Sequence, residues 1–140
     1  MATATRTLAL VDIRDAAATA LASQADTDPI VYPDIVDSLV PPAIMLAWGE
    51  PWLLPGVEGR NVMGPCVWTA ALWVYCLVGR ADPGSGQDQL DVIVAQVIDR
   101  LGADPAYDWP PATVFAPRLY DFSGVPCVGA RVAYNVPTSI

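Results

Sequence analysis

The chain runs to 140 residues, 54% of them hydrophobic, and carries fifteen acids against seven arginines, for a formal net charge of −8 and a pI near 4.1. That balance argues against nucleic acid and anionic membrane surfaces as partners of the whole chain, because binding by counterion release needs clustered cations. Histidine and lysine are both absent, so the side chain best suited to proton transfer near neutral pH and the amine of Schiff-base and phosphate-loop chemistry are missing.

What remains for catalysis is carboxylates, hydroxyls and arginines. This predicts a protein that works through its surfaces rather than an enzyme, with no cofactor and no metal. The length suits one domain over 1–140. A mean hydropathy of +0.38 leaves apolar surface beyond a filled core, which points to a subunit interface.

In chain order, Met1 to Leu10 holds one arginine and no apolar run of leader length, so no signal peptide is expected. Residues 8–24 read as a first helix. Leu10, Ile13, Ala17 and Leu21 fall near one face, with Asp12 and Asp15 by the positive end of the dipole. Ala25 to Asp37 reads as loop and turn, and Ala43 to Trp48 as a short apolar strand after Pro41-Pro42. Gly49 to Pro65, with three prolines and four glycines, predicts a long irregular loop of the kind that often carries function. It displays Trp52, Leu53 and Leu54 between two prolines, as candidates for contact with another subunit.

Val62 to Gly79 is an uncharged, mainly apolar run of eighteen residues, long enough to raise a membrane span. Gly64-Pro65 breaks its start, and its Val, Trp and Tyr content favours a buried strand over Cys66 to Val78, apolar on both faces. Gly79 to Gly86 reads as a turn. It leads to a helix over Gln87 to Leu101, with Leu90, Ile93, Val94, Val97, Ile98 and Leu101 spaced on one face and Ser85 with Asp88 resembling a capping box. After a proline-rich loop from Asp104 to Pro117 come strands over Arg118 to Phe122 and Pro126 to Val136, the second half-exposed at the end of the sheet. The sum is an α+β fold: a single mixed or antiparallel sheet with two helices packed on one face and a long loop between strands.

The carboxylate pairs Asp12/Asp15 and Asp88/Asp91 sit in first helical turns, where acids are expected without any acid–base role. Asp26/Asp28 and Asp34/Asp37 lack the spacing of a calcium loop. Gly84-Ser85-Gly86 lacks the lysine and the pattern of a phosphate cradle. Cys66, Cys76 and Cys127 form no CxxC pair and suit the free, buried thiols of a cytosolic protein, Cys66 and Cys76 sharing one strand face. Of five tryptophans, Trp68 and Trp73 read as core, while Trp52 and Trp109, in proline-rich loops, divide between packing and interface anchoring.

The order of elements resembles the tail terminator proteins of long-tailed bacteriophages. The likeness rests on the helix at Val11–Ser23, the long apolar strand running into an amphipathic helix at Trp68–Leu101, and a closing motif carried by Tyr120, Gly124, Val125, Cys127, Ala130, Val132 and Tyr134. The Trp- and Pro-rich segment 49–65 departs from that pattern. The resemblance implies a structural virion protein, assembled in the host cytoplasm, that forms a homohexameric ring. It would sit on the last ring of the major tail tube protein and dock a head-completion or stopper protein, with DNA only in transit and no membrane partner. The apolar surplus and the proline-rich loops make Trp52, Leu53, Leu54 and Trp109 interface candidates, and a DNA-passing ring makes Glu50, Glu58, Asp82 and Asp88 candidates for an acidic lumen that DNA does not adhere to. The alternatives are another head–tail connector, stopper or minor tail subunit of similar fold, a small enzyme without histidine, and a holin-type membrane protein.

Overall fold

A computed structural model describes residues 8–22, 29–36, 39–55, 68–79, 83–122 and 124–139. The elements are β1 (Leu8–Ala9), α1 (Ile13–Leu21), β2 (Ile30–Tyr32), β3 (Ala43–Pro55), β4 (Trp68–Gly79), α2 (Pro83–Gly102), β5 (Ala112–Val114), β6 (Arg118–Phe122) and β7 (Val125–Ser139). A single 3-10 turn at Leu10–Asp12 leads into α1. Together they make an α+β fold, a mixed seven-stranded sheet with both helices on one side.

The sheet is built on β4 and β7, which pair antiparallel without a break from Trp68↔Thr138 to Gly79↔Cys127. Both are rich in Val, Tyr and other residues that suit a pleated, buried surface. β3 pairs antiparallel with the other edge of β4, and β2 adds to β3 in parallel. The outer edge of β7 is shared along its length by β6, β5 and β1. β6 returns into β7 through a turn in which Gly124 takes φ 85°, a left-handed conformation that glycine adopts without steric cost.

Strand alternation divides the sheet cleanly. Ile44, Leu46, Leu72, Val74, Cys76, Ala130, Val132 and Tyr134 face the helices and meet Ile13, Ala17 and Leu21 of α1 and Leu90, Ile93, Val97 and Leu101 of α2. Each large side chain fully buried there contributes about 1.5–3 kcal/mol of transfer free energy. Arg100 Nη1 donates to the Leu21 carbonyl at 3.2 Å, joining the C-terminal turns of the two helices. The opposite side, here the far face, holds a smaller cluster of Leu39, Ala43, Met45, Leu77 and Cys127, covered by Tyr32, Val36 and Tyr120.

Several expectations change. The helix over 8–24 shortens to Ile13–Leu21 because Leu8–Ala9 is captured as a strand: Leu8 is buried and its carbonyl accepts from Thr138 Oγ1 at 2.7 Å. The long loop over 49–65 is strand as far as Pro55, and 56–65 lies outside the described residues. The β3–β4 register breaks between Trp48 and Leu53, so Pro51 falls where its missing N–H costs no ladder bond. The helix over 87–101 begins at Pro83, since proline is favoured in a first helical turn; Ser85 is therefore inside the helix rather than at its cap. Val94 is only half-buried and Ile98 is 41% exposed, so the inward face is narrower than the six-residue stripe suggested. The loop over 104–117 contains β5, and the last strand, Val125–Ser139, is interior to the sheet rather than at its end. The run over 62–79 is strand from Trp68 onward, and among the described residues no helix is long and apolar enough to cross a membrane.

Candidate interaction surface

On the far face, β7 places Arg131 beside β4's Tyr75, and Trp73 lies diagonal to it. Val114 is the last residue of β5 in register with β7. The next amide, Phe115 N–H, donates to the Arg131 carbonyl at 2.9 Å, so Phe115 flanks Arg131 from the edge opposite β4. The guanidinium carbon stands 4.0 Å from the Trp73 ring centroid and 4.0 Å from that of Phe115. Both aromatic rings attract the cation through their quadrupoles, each by about 0.5–2 kcal/mol depending on desolvation. Arg131 Nε is buried with no hydrogen-bond partner among the described residues.

Local sequence explains the platform. The Trp73 indole crosses the strand next to it at Gly49, where an added Cβ would lie 2.3 Å from Trp73 Nε1. Only glycine permits that approach. Trp73 then meets Tyr75 edge-on at 6.4 Å, and Tyr75 meets Tyr120 at 5.7 Å. An aromatic row thus runs from the open part of this face to its covered end.

A second patch lies at the far end of β3. Trp52 is 46% exposed and stacks on Trp48 at 5.5 Å. Arg14 lies 5.7 Å from the Trp48 ring, donates to the Pro33 carbonyl at 3.1 Å and pairs with Asp34. Leu54 is 51% exposed, whereas Leu53 is half-buried against the helix-side core. Of the interface candidates, Trp52 and Leu54 thus face outward. Trp109 does not: it is buried, meets Tyr107 and Tyr134 edge-on, and its indole N–H donates to Asp104 Oδ2 at 2.8 Å. It is a packing residue.

Comparison with protein-family models and with curated proteins finds no match.

Of the lumen candidates, Glu50 is exposed on β3 and Asp88 on α2, while Glu58 and Asp82 lie outside the described residues. So do Cys66, Asp26, Asp28 and Asp37. The other two thiols take opposite faces of the sheet. Burial pushes the Cys76 pKa up to about 12, and Cys127 is also raised, by burial first and the Asp121 charge second. Both are poor nucleophiles in this state. An acidic cleft between α1 and the 104–107 segment is lined by Asp12, Asp15 and Asp104, and Asp104 is already engaged by Trp109 and by the Ala106 amide. An apolar groove of about 300 Å³ runs between Leu90, Val94 and Ile98 of α2 and Val114, Phe115 and Pro117.

The reading from sequence missed Arg131 and Phe115. Its one available signal was the alternation of β7, in which Arg131 falls among small residues opposite an apolar stripe. That pattern marks a solvent-facing position unless aromatic neighbours are known.

Proposed function

We propose that the chain is a structural subunit of the tail terminator type, capping the tail tube of a long-tailed bacteriophage and joining it to the head–tail connector. The order of elements carries the reading. After the two-residue β1, α1 precedes β2–β7, β4 leads into the amphipathic α2, and the β6–β7 hairpin bears Tyr120, Gly124, Cys127, Ala130, Val132 and Tyr134; this order supports the reading. Exposed apolar residues at Trp52 and Leu54 supply contact area suited to neighbours in a hexameric ring.

The mechanism is steric and electrostatic. A ring seated on the last tube ring presents its outer side to incoming tube subunits and offers them no matching surface, so elongation stops. The same outer side receives a head-completion or stopper protein. Exposed acids such as Glu50 and Asp88, repeated around a bore, repel the phosphate backbone and let DNA pass without adhering.

The test is to delete the chain from the particle that contains it and image the tails. Terminator action predicts overlong tails unattached to heads. Tails of normal length that fail only in head attachment would overturn it and assign the chain to the connector or stopper.

A further inference from the structure

The far face of the sheet differs in charge from the rest of this acidic chain. At the paired positions of β3, β4, β5, β6 and β7 that share its side, there is no aspartate or glutamate. Two arginines are there instead: Arg131, and Arg118, which pairs with Gly129 of β7 and is exposed. Elsewhere Asp12, Asp15, Glu50, Asp88, Asp91 and Asp108 are all exposed. Among the described residues, the paired positions of this sheet face thus carry arginine and no acid, while these exposed acids lie off it.

We infer that the Arg131 platform receives a carboxylate from a second copy of this chain. The two rings hold the guanidinium plane in place, so an approaching acid meets a cation already ordered and little rotamer freedom is lost on pairing. The buried Nε is closed off, and the two Nη groups are the remaining donors of the fork. Two parallel N–H groups match the two oxygens of a carboxylate. Beside the guanidinium, exposed Phe115 and half-buried Trp73 give the ion pair apolar flanks that help to exclude water, as at interface hot spots. Copies that each carry −8 repel one another in general. A stable contact between them therefore sets exposed acids of one against the arginine-bearing face of the next. Because donor and acceptor surfaces differ, the contact is head-to-tail, the kind that closes into rings. This rests on the ring reading only in requiring self-association.

Sedimentation velocity at low and high salt, on the wild type and three variants, tests it. Wild type is expected to self-associate, less so at high salt. Arg131→Glu should raise the dissociation constant at least about tenfold. Arg131→Met, which keeps the stem between the rings, should also weaken association, and Arg131→Lys should fall between, since it keeps charge but loses the fork. Thermal melting of each variant separates lost contact from lost fold. A wild type that stays monomeric throughout, or an Arg131→Glu protein that is folded and assembles as tightly as wild type, overturns the proposal. Rings that survive Arg131→Glu leave the tail terminator reading intact, because that reading is judged separately on tail length.

Discussion

Cys76 lies opposite Ala130 in the helix-side core, where burial pushes its pKa from an ordinary 9.0 up to about 12. Tyr134 on the same side is pushed from 10.0 to about 12, by burial first and by Cys76 second. Both groups are neutral in the folded protein and ionise more readily once the chain opens. The stability they confer is therefore fully present below about pH 9 and is lost as pH rises towards about 12. Urea midpoints measured from about pH 8 to about pH 11 should fall on the alkaline side, and a flat profile would count against the burial of these groups. At about pH 8 the Cys76 peptide, followed by mass spectrometry, should escape alkylation in the native protein and react once it is unfolded. Equal labelling in both states would show the thiol to be accessible.

At the scale of elements, legibility followed periodicity. α2 and β4 could be read because their apolar spacing is regular, and the α+β arrangement with both helices on one face followed from them. β3 beyond Trp48 was hidden by Pro51 and Pro55, which argue for a loop unless a register break accommodates them. β5 was hidden among prolines for the same reason. The central place of β7 was not readable, since Gly129, Arg131, Ala133 and Asn135 resemble a solvent-facing row. Only pairing partners distant in sequence reveal it as interior. Of the candidate surface, Trp52 and Leu54 were legible as apolar residues without a periodic role, while the Arg131 platform depends on three strands meeting. The helix itself offers a discriminating pair. Val97 is fully buried and Ile98 is 41% exposed, so Val97→Asp should unfold the subunit or cost more than about 4 kcal/mol by burying a charge. Ile98→Asp should stay within about 1 kcal/mol of wild type. Chemical denaturation decides it, and equal losses at the two positions would mean that α2 is rotated from its observed packing.

For the whole molecule, the exposed end of β3 is where assembly and folding separate. Replacing Trp52 and Leu54 together with Ser should leave the melting temperature within a few degrees and weaken association at least about tenfold. Adding Leu53→Ser should also lower stability, because Leu53 packs on the core. A Trp52→Ser/Leu54→Ser protein that assembles like wild type would remove this patch from the interface. The position of β7 has a further consequence, in time rather than in space. β4, β1, β5 and β6 all bond to it, yet it follows every one of them in the chain. As the polypeptide is synthesised, β3 and β4 emerge with one edge unfilled, and β1 waits for partners more than a hundred residues downstream. Apolar strand edges stay open until β7 arrives, which is the condition under which nascent chains aggregate or recruit chaperones. Truncations that remove β7 should therefore yield insoluble chains rather than smaller folded ones, because the sheet closes only once β7 is in place.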